Sequence, residues 1–134
     1  MRPMLDVENE KCFPNRTNYK GLADWIDQWM KEVHKSTNVW PKIYINSADL
    51  RDMPDKLKEA FNALATKYEL WIAPNHCLQL GTCDPGAPVN VPPWDVDLVQ
   101  YSWNGRLGGI NSKVDLDVFQ SVLPSFQSEI VVGP

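Results

Sequence analysis

Positive charge is in short supply in this chain. Its 13 lysines and arginines stand against 17 aspartates and glutamates, giving a net charge of -4 and a pI near 5.1. The basic residues are scattered and form no stripe, so no nucleic-acid partner is expected. Long apolar runs are missing too. No stretch of about 18 apolar residues could cross a bilayer, which leaves no membrane partner in view. The first residues lack the charged, apolar and small-residue regions of a signal peptide. The chain reads as soluble, with no address written into it. Cysteine is sparse: Cys12, Cys77 and Cys83. There is no C-x-x-C spacing, and His76 is the one histidine near a cysteine, so neither a metal nor a cofactor is expected. Cys77 and Cys83 lie six apart in a loop-like segment and could close a short disulfide, leaving Cys12 odd. Free thiols in a cytosolic protein are the preferred reading. Asn15-Arg16-Thr17 would be a glycosylation site only in a secreted eukaryotic protein, and otherwise reads as the approach to a helix. Internal repeats, low-complexity segments and linkers are likewise missing. The 134 residues, 43% hydrophobic, suit a single domain over 1–134.

What is present alternates between two periods. Residues 3–8 read as a strand, followed by a polar loop through Pro14. From Tyr19 to about Lys35, Leu22, Trp25, Ile26, Trp29, Met30 and Val33 recur at three and four, which predicts a helix with one buried face, capped by Thr17 or Asn18. "PKIYIN" (41–46) predicts a second strand. A second helix is expected with Pro54 at its first position and Leu57, Ala60, Phe61 and Leu64 inward; "YELWIAP" (68–74) then predicts a third strand. This alternation is the mark of a parallel sheet with helices packed on it, an α/β fold. Residues 74–96, rich in proline, read as a long irregular loop of the kind that is functional or disordered. "LVQYSW", an Asn104-Gly105 turn signal, "RLGGI" and "KVDLDVF" then read as a hairpin of short strands. The tail from Pro124 is a last strand or an ordered end. Of the six tryptophans, Trp25 and Trp29 fit the helix core, whereas Trp71, Trp94 and Trp103 lie at strand ends or in loops. Aromatic platforms for sugars are found in such places, as is packing beneath a loop.

The candidate chemistry sits in the first strand. Asp6 and Glu8 are two apart, so in a strand they share a face with Cα atoms about 6.6 Å apart. Paired carboxylates at about that distance serve glycoside hydrolysis, one as general acid and one as nucleophile, base or stabiliser. Their mutual repulsion raises one pKa towards a working value. The spacing falls between the retaining and inverting ranges and does not fix stereochemistry. D-x-E alone is a weak pattern in a chain with 17 acidic residues, and its plain reading is two solvated charges on an edge strand. Its position at the carboxyl end of a parallel strand is what raises it.

"MLDVE", "KIYIN", "LWIAP", "LVQYSWNGRLGGI" and "VDLDVF" together resemble, in order and approximate spacing over residues 4 to about 119, the glycoside hydrolase family 25 lysozymes, the Chalaropsis-type N-acetylmuramidases of bacteria, fungi and phage endolysins. The resemblance implies an irregular TIM-like β/α barrel. It also implies cleavage of the β-1,4 bond between N-acetylmuramic acid and N-acetylglucosamine in peptidoglycan. It assigns Glu8 as proton donor, Asp6 as its catalytic companion and Asp115 as a cleft aspartate. Tyr44, Trp71, Gln100 and Tyr101 become substrate-binding candidates, with Ala73 ending the W-I-A strand. Asp117 stands where asparagine is usual in the family.

The family pattern also carries an earlier strand with another active-site aspartate, in a G-I-D-V-S-like context, and two further β/α units before the D-x-E strand. These have no counterpart here. A β/α barrel needs about 200 residues or more, so the resemblance implies the second half of one, from the fourth strand onward. The expected architecture is a partial β/α barrel of mostly parallel strands with a C-terminal hairpin, completed by self-association or by a partner chain that covers the exposed edges. An open αβ sheet with the tail folded across an edge is the alternative. Two functions follow. One is a lysozyme acting on peptidoglycan glycan strands at the bacterial cell wall. The other is a catalytically weak or inactive descendant with a cell-wall-binding, structural or regulatory role, for instance a phage-encoded component. Loss of the first-strand aspartate and half the cleft wall would weaken electrostatic preorganisation.

Overall fold

The structure, a computed structural model, describes residues 2–8, 19–74, 84 and 88–120. In chain order it has β1 (Met4–Asp6), α1 (Tyr19–Thr37), β2 (Lys42–Asn46), α2 (Ser47–Asp52), α3 (Asp55–Asn62), β3 (Leu70–Ala73), β4 (Val96–Gly105) and β5 (Val114–Phe119); α3 runs on into a 3-10 turn at Ala63–Thr66. The strands form one sheet in sequential order, with β1 to β4 parallel and β5 antiparallel to β4. The three cysteines, the Asn15-Thr17 sequon, the Thr17 or Asn18 cap and the tail from residue 121 lie outside the described residues.

Sequential order with right-handed crossovers places α1 and α3 on the same face of the sheet. The side chains agree. Ile43, Ile45, Leu70, Ile72 and Val99 occupy alternate strand positions and are buried in one cluster with Ile26 and Met30 of α1 and Leu57 and Phe61 of α3. Because strand side chains alternate, the intervening residues turn to the other face. That face carries Asp6, Tyr44, Trp71 and Gln100, and its polarity explains why these strands are not uniformly apolar.

Several sequence expectations shift. Trp25 is 53% exposed, because the buried stripe of α1 runs through Ala23, Ile26 and Met30 and Trp25 falls to one side of it; Leu22 and Trp29 pack at its margin. The helix expected from Pro54 is α3, and a short helix that was not expected, α2, precedes it. Asn46 caps α2 by accepting from the Asp49 backbone N–H, and α3 starts afresh with Pro54 as its N-cap, the Pro54 carbonyl accepting from Leu57 and Lys58. Trp94 belongs to the core. It packs on Phe61 at 4.8 Å and donates its indole N–H to Asn62 Oδ1, so the packing reading holds for it. Asn104-Gly105 is the end of β4 rather than a turn, since Gly105 pairs with Val114 and the chain reverses over residues 106–113. Gly105 is needed there because a Cβ would lie 2.4 Å from Leu116 Cγ. The positive φ of the reversal, 86°, falls on Gly109.

At the amino end of the strands, on the polar face, the Lys42 ammonium is buried against Asp97 and Glu69, with the Phe119 ring 5.9 Å away. Arg2 also reaches Glu69, at 3.1 Å. Asp97 gets there through a register shift. Val96 pairs with Leu70 and Leu98 with Trp71, so Asp97 is the extra residue of a bulge. Burial pulls the Lys42 pKa down, but hydrogen bonds to Asp97 and Glu69 outweigh it and the net shift is upward. Removing one partner of a buried pair leaves an uncompensated charge. Asp97→Ala is therefore expected to lower stability by about 3 kcal/mol in denaturant unfolding, whereas the double replacement Lys42→Met with Asp97→Leu loses far less. Equal losses for the two would show that the pair does not act as a unit.

Candidate functional site

β1 and β2 bring the first group of residues together. Asp6 pairs with Tyr44, so the two side chains share a face. The extended chain continues through Val7, whose N–H donates to the Tyr44 carbonyl and whose side chain is buried, which sends Glu8 back to the side of Asp6. There Glu8 Oε1 accepts from Asn46 Nδ2 at 3.0 Å. The same amide group donates to Asp49 Oδ2 at 2.5 Å, while Asn46 Oδ1 caps α2. Asn46 thus fixes a carboxylate and starts a helix with one side chain.

β2, β3 and β4 add an aromatic and amide row. The Tyr44 hydroxyl donates to Gln100 Oε1 at 2.7 Å, and the Tyr44 ring meets Trp71 edge-on at 5.1 Å. Trp71 donates its indole N–H to Asp117 Oδ1 at 2.9 Å. β5 closes the row, because Gln100 pairs with Asp117 and Asp115 lies two residues earlier on the same face. Burial, then the charges of Glu8, Asp6 and Asp115, hold the Tyr44 phenol well above the usual tyrosine range. Three carboxylates from the first and last strands therefore converge electrostatically on one phenol.

Six of the seven residues singled out from sequence, Asp6, Glu8, Asp115, Tyr44, Trp71 and Gln100, share this face. Tyr101 falls at the register shift between Gln100 and Ser102, half-buried, and among the described residues no hydrogen bond or ring contact joins it to the other six. Two residues were missed. Asn46 had a signal, since an Asn before a helix with Asp49 three residues later is a capping pattern. Asp117 was visible as a departure from the family's asparagine, but its link to Trp71 needs the β3–β4–β5 register. Among the described residues no cluster of three His, Cys, Asp or Glu could hold a metal ion.

The carboxylates feel each other. Burial, Glu8 and Asp49 push Asp6 upward. Asp117 is exposed at the sheet surface, yet partial desolvation of its carboxylate and the charge of Asp115 push it up to about 6, with the Trp71 hydrogen bond pulling the other way. Its folded value lies above the ordinary 3.8, so the folded state takes up a proton first as pH falls. The ionised carboxylate destabilises the fold above about pH 6, and this penalty disappears on going down to the ordinary value. Asp117→Asn keeps an oxygen for Trp71. It is expected to raise the melting temperature at pH 7.5 and to leave it unchanged near pH 3.5; equal shifts at both would contradict the assignment.

No protein-family model matches the sequence, and no curated protein matches it. Solved structures do. A bacterial lysozyme from Streptomyces coelicolor superimposes with a TM-score of 0.65 at 18% identity, covering 91% of this chain and 51% of the lysozyme. The Clostridium perfringens spore cortex lytic enzyme SleM gives 0.64 at 24%, covering 93% and 38%. A family GH25 lysozyme from Aspergillus fumigatus gives 0.61 at 19%, covering 93% and 54%. The chain spans about half the length of these enzymes or less. Its mixed α/β fold, a five-stranded and mostly parallel sheet, is that of part of a family 25 lysozyme.

Proposed function

We propose that this chain is a peptidoglycan hydrolase of the lysozyme type, cleaving the β-1,4 bond between N-acetylmuramic acid and N-acetylglucosamine. The observation that carries the reading is the convergence of Asp6, Glu8 and Asp115 around Tyr44 at the carboxyl end of the parallel strands, in a fold shared with three lytic enzymes. In this reading Glu8 protonates the leaving glycosidic oxygen. Asp6 and Asp115 stabilise positive charge developing on the sugar, and Tyr44, Trp71 and Gln100 shape the cleft. The Asn46 amide holds Glu8 Oε1, and the Tyr44 hydroxyl lies within hydrogen-bonding reach of the same carboxylate.

A second reading is favoured by coverage. Because the chain corresponds to 38–54% of the three lytic enzymes, the polar face forms one wall of a cleft. The chain then acts as a catalytically weak wall-binding or regulatory protein, or is completed by a second copy or a partner chain that lies along β1 or β5, the outer strands of the described sheet. Completion would give the rest of a β/α barrel.

The test is clearance of a peptidoglycan suspension by the wild-type chain and by Glu8→Gln, which keeps the oxygen that Asn46 holds. A loss of about 10²–10⁴-fold in the variant is expected for a general acid; equal and negligible clearing by both would favour the non-catalytic reading. Sedimentation across micromolar concentrations reads the assembly, and a clean monomer would count against completion by a second copy.

A further inference from the structure

β4 outruns its neighbours. β3 ends at Ala73, one position past the Ile72–Val99 pair, yet β4 continues to Gly105 with β5 alongside it. The overhanging ribbon and its reversal over residues 106–113 project from the same end of the sheet as Glu8. Ser102 pairs with Leu116 and Gly105 with Val114 across a register shift, so Trp103 stands in the bulged part of β4, opposite the stretch of β5 that holds Asp115. Lys113, just before β5, brings its ammonium to 5.7 Å from the Trp103 ring centroid. Trp103 remains 47% exposed, and Leu107 and Ile110 at the reversal are 50% and 46% exposed.

A cross-strand aromatic and lysine pair can serve simply to pin a hairpin's register. Two features ask for more. Trp103 stands on the ribbon beyond the helix-covered core, with nearly half its surface in solvent. Lys113 and Arg106 also bring positive charge to the rim of a face otherwise lined by Asp6, Glu8, Asp115 and Asp117. A flat indole with an ammonium at its side suits a pyranose that stacks on the ring and carries an anionic group. From β1 to β4 is about 14 Å at ~4.8 Å per strand, so this site lies several sugars along a glycan chain from Glu8.

We propose that Trp103 and Lys113 form a glycan-holding subsite at the lip of the polar face, specific for a sugar whose substituent ends in a carboxylate, as the peptide-bearing sugars of peptidoglycan do. The subsite deepens the lysozyme-type reading and rests on it for its ligand class. It holds the strand so that the bond to be cleaved lies over Asp6 and Glu8, with Lys113 selecting against neutral glycans.

Binding is measured calorimetrically on the Glu8→Gln chain, which leaves the ligand intact, with two probes: soluble glycan strands carrying peptide stems, and neutral N-acetylglucosamine oligomers. Trp103→Ala is expected to weaken both on the order of tenfold, and Trp103→Phe to restore most of the loss. Lys113→Gln is expected to weaken only the carboxylate-bearing strands, by several-fold, and to remove part of the salt dependence of their binding. Undiminished binding in Trp103→Ala, equal losses for both probes in Lys113→Gln, or no binding of either probe by the parent would each overturn the subsite. Hydrolysis by the wild-type chain is scored separately. Trp103-dependent binding without clearance sinks only the enzyme reading, and clearance with Trp103-independent binding sinks only the subsite.

Discussion

The polar face depends on an ion pair buried at its base. Lys42 stands at the amino end of β2, and its ammonium is neutralised by Asp97 of β4 and by Glu69 just before β3. A charge in that position ties β2 to β4 across β3. It also requires the bulge that turns Asp97 inward, and the bulge sets the register by which Leu98, Gln100 and then Asp117 reach the site face. The carboxyl end of the sheet is thus aligned by an interaction at the amino end. Because both charges are desolvated, the pair specifies this alignment more than it adds stability.

The second organising constraint is the division of labour between faces. One parity of strand residues is apolar and buried under α1 and α3, and the other carries nearly every ionisable or hydrogen-bonding group of the site. Asp27 secures the helical side, accepting from Lys31, Lys67 and the Tyr68 hydroxyl and so holding α1 to the segment that leads into β3. The site residues come from all five strands and meet only because consecutive strands are neighbours in the sheet.

Much of this was legible in the sequence because it is periodic. The strands at Met4–Asp6, Lys42–Asn46 and Leu70–Ala73 and the stripe of α1 follow from alternation and from three-four spacing. The D-x-E pair is visible since two residues apart in a strand always share a face. What sequence did not disclose depends on register. Asn104-Gly105 has the composition of a turn, but the space taken by Leu116 makes its glycine a strand residue. Trp25 satisfies the helical period and is still exposed, since the period locates a stripe only to within one residue. The contact between Trp71 and Asp117 crosses two strand pairings and a bulge, so no local pattern could reveal it.

Asn46 has a consequence for how this fold changes over generations. Its amide oxygen begins α2 and its amide nitrogen holds Glu8, and only asparagine does both: aspartate, serine or threonine would cap the helix as well but would leave Glu8 without this donor. Helix stability alone therefore permits drift at this position, and an asparagine held there marks a constraint that comes from the carboxylate side.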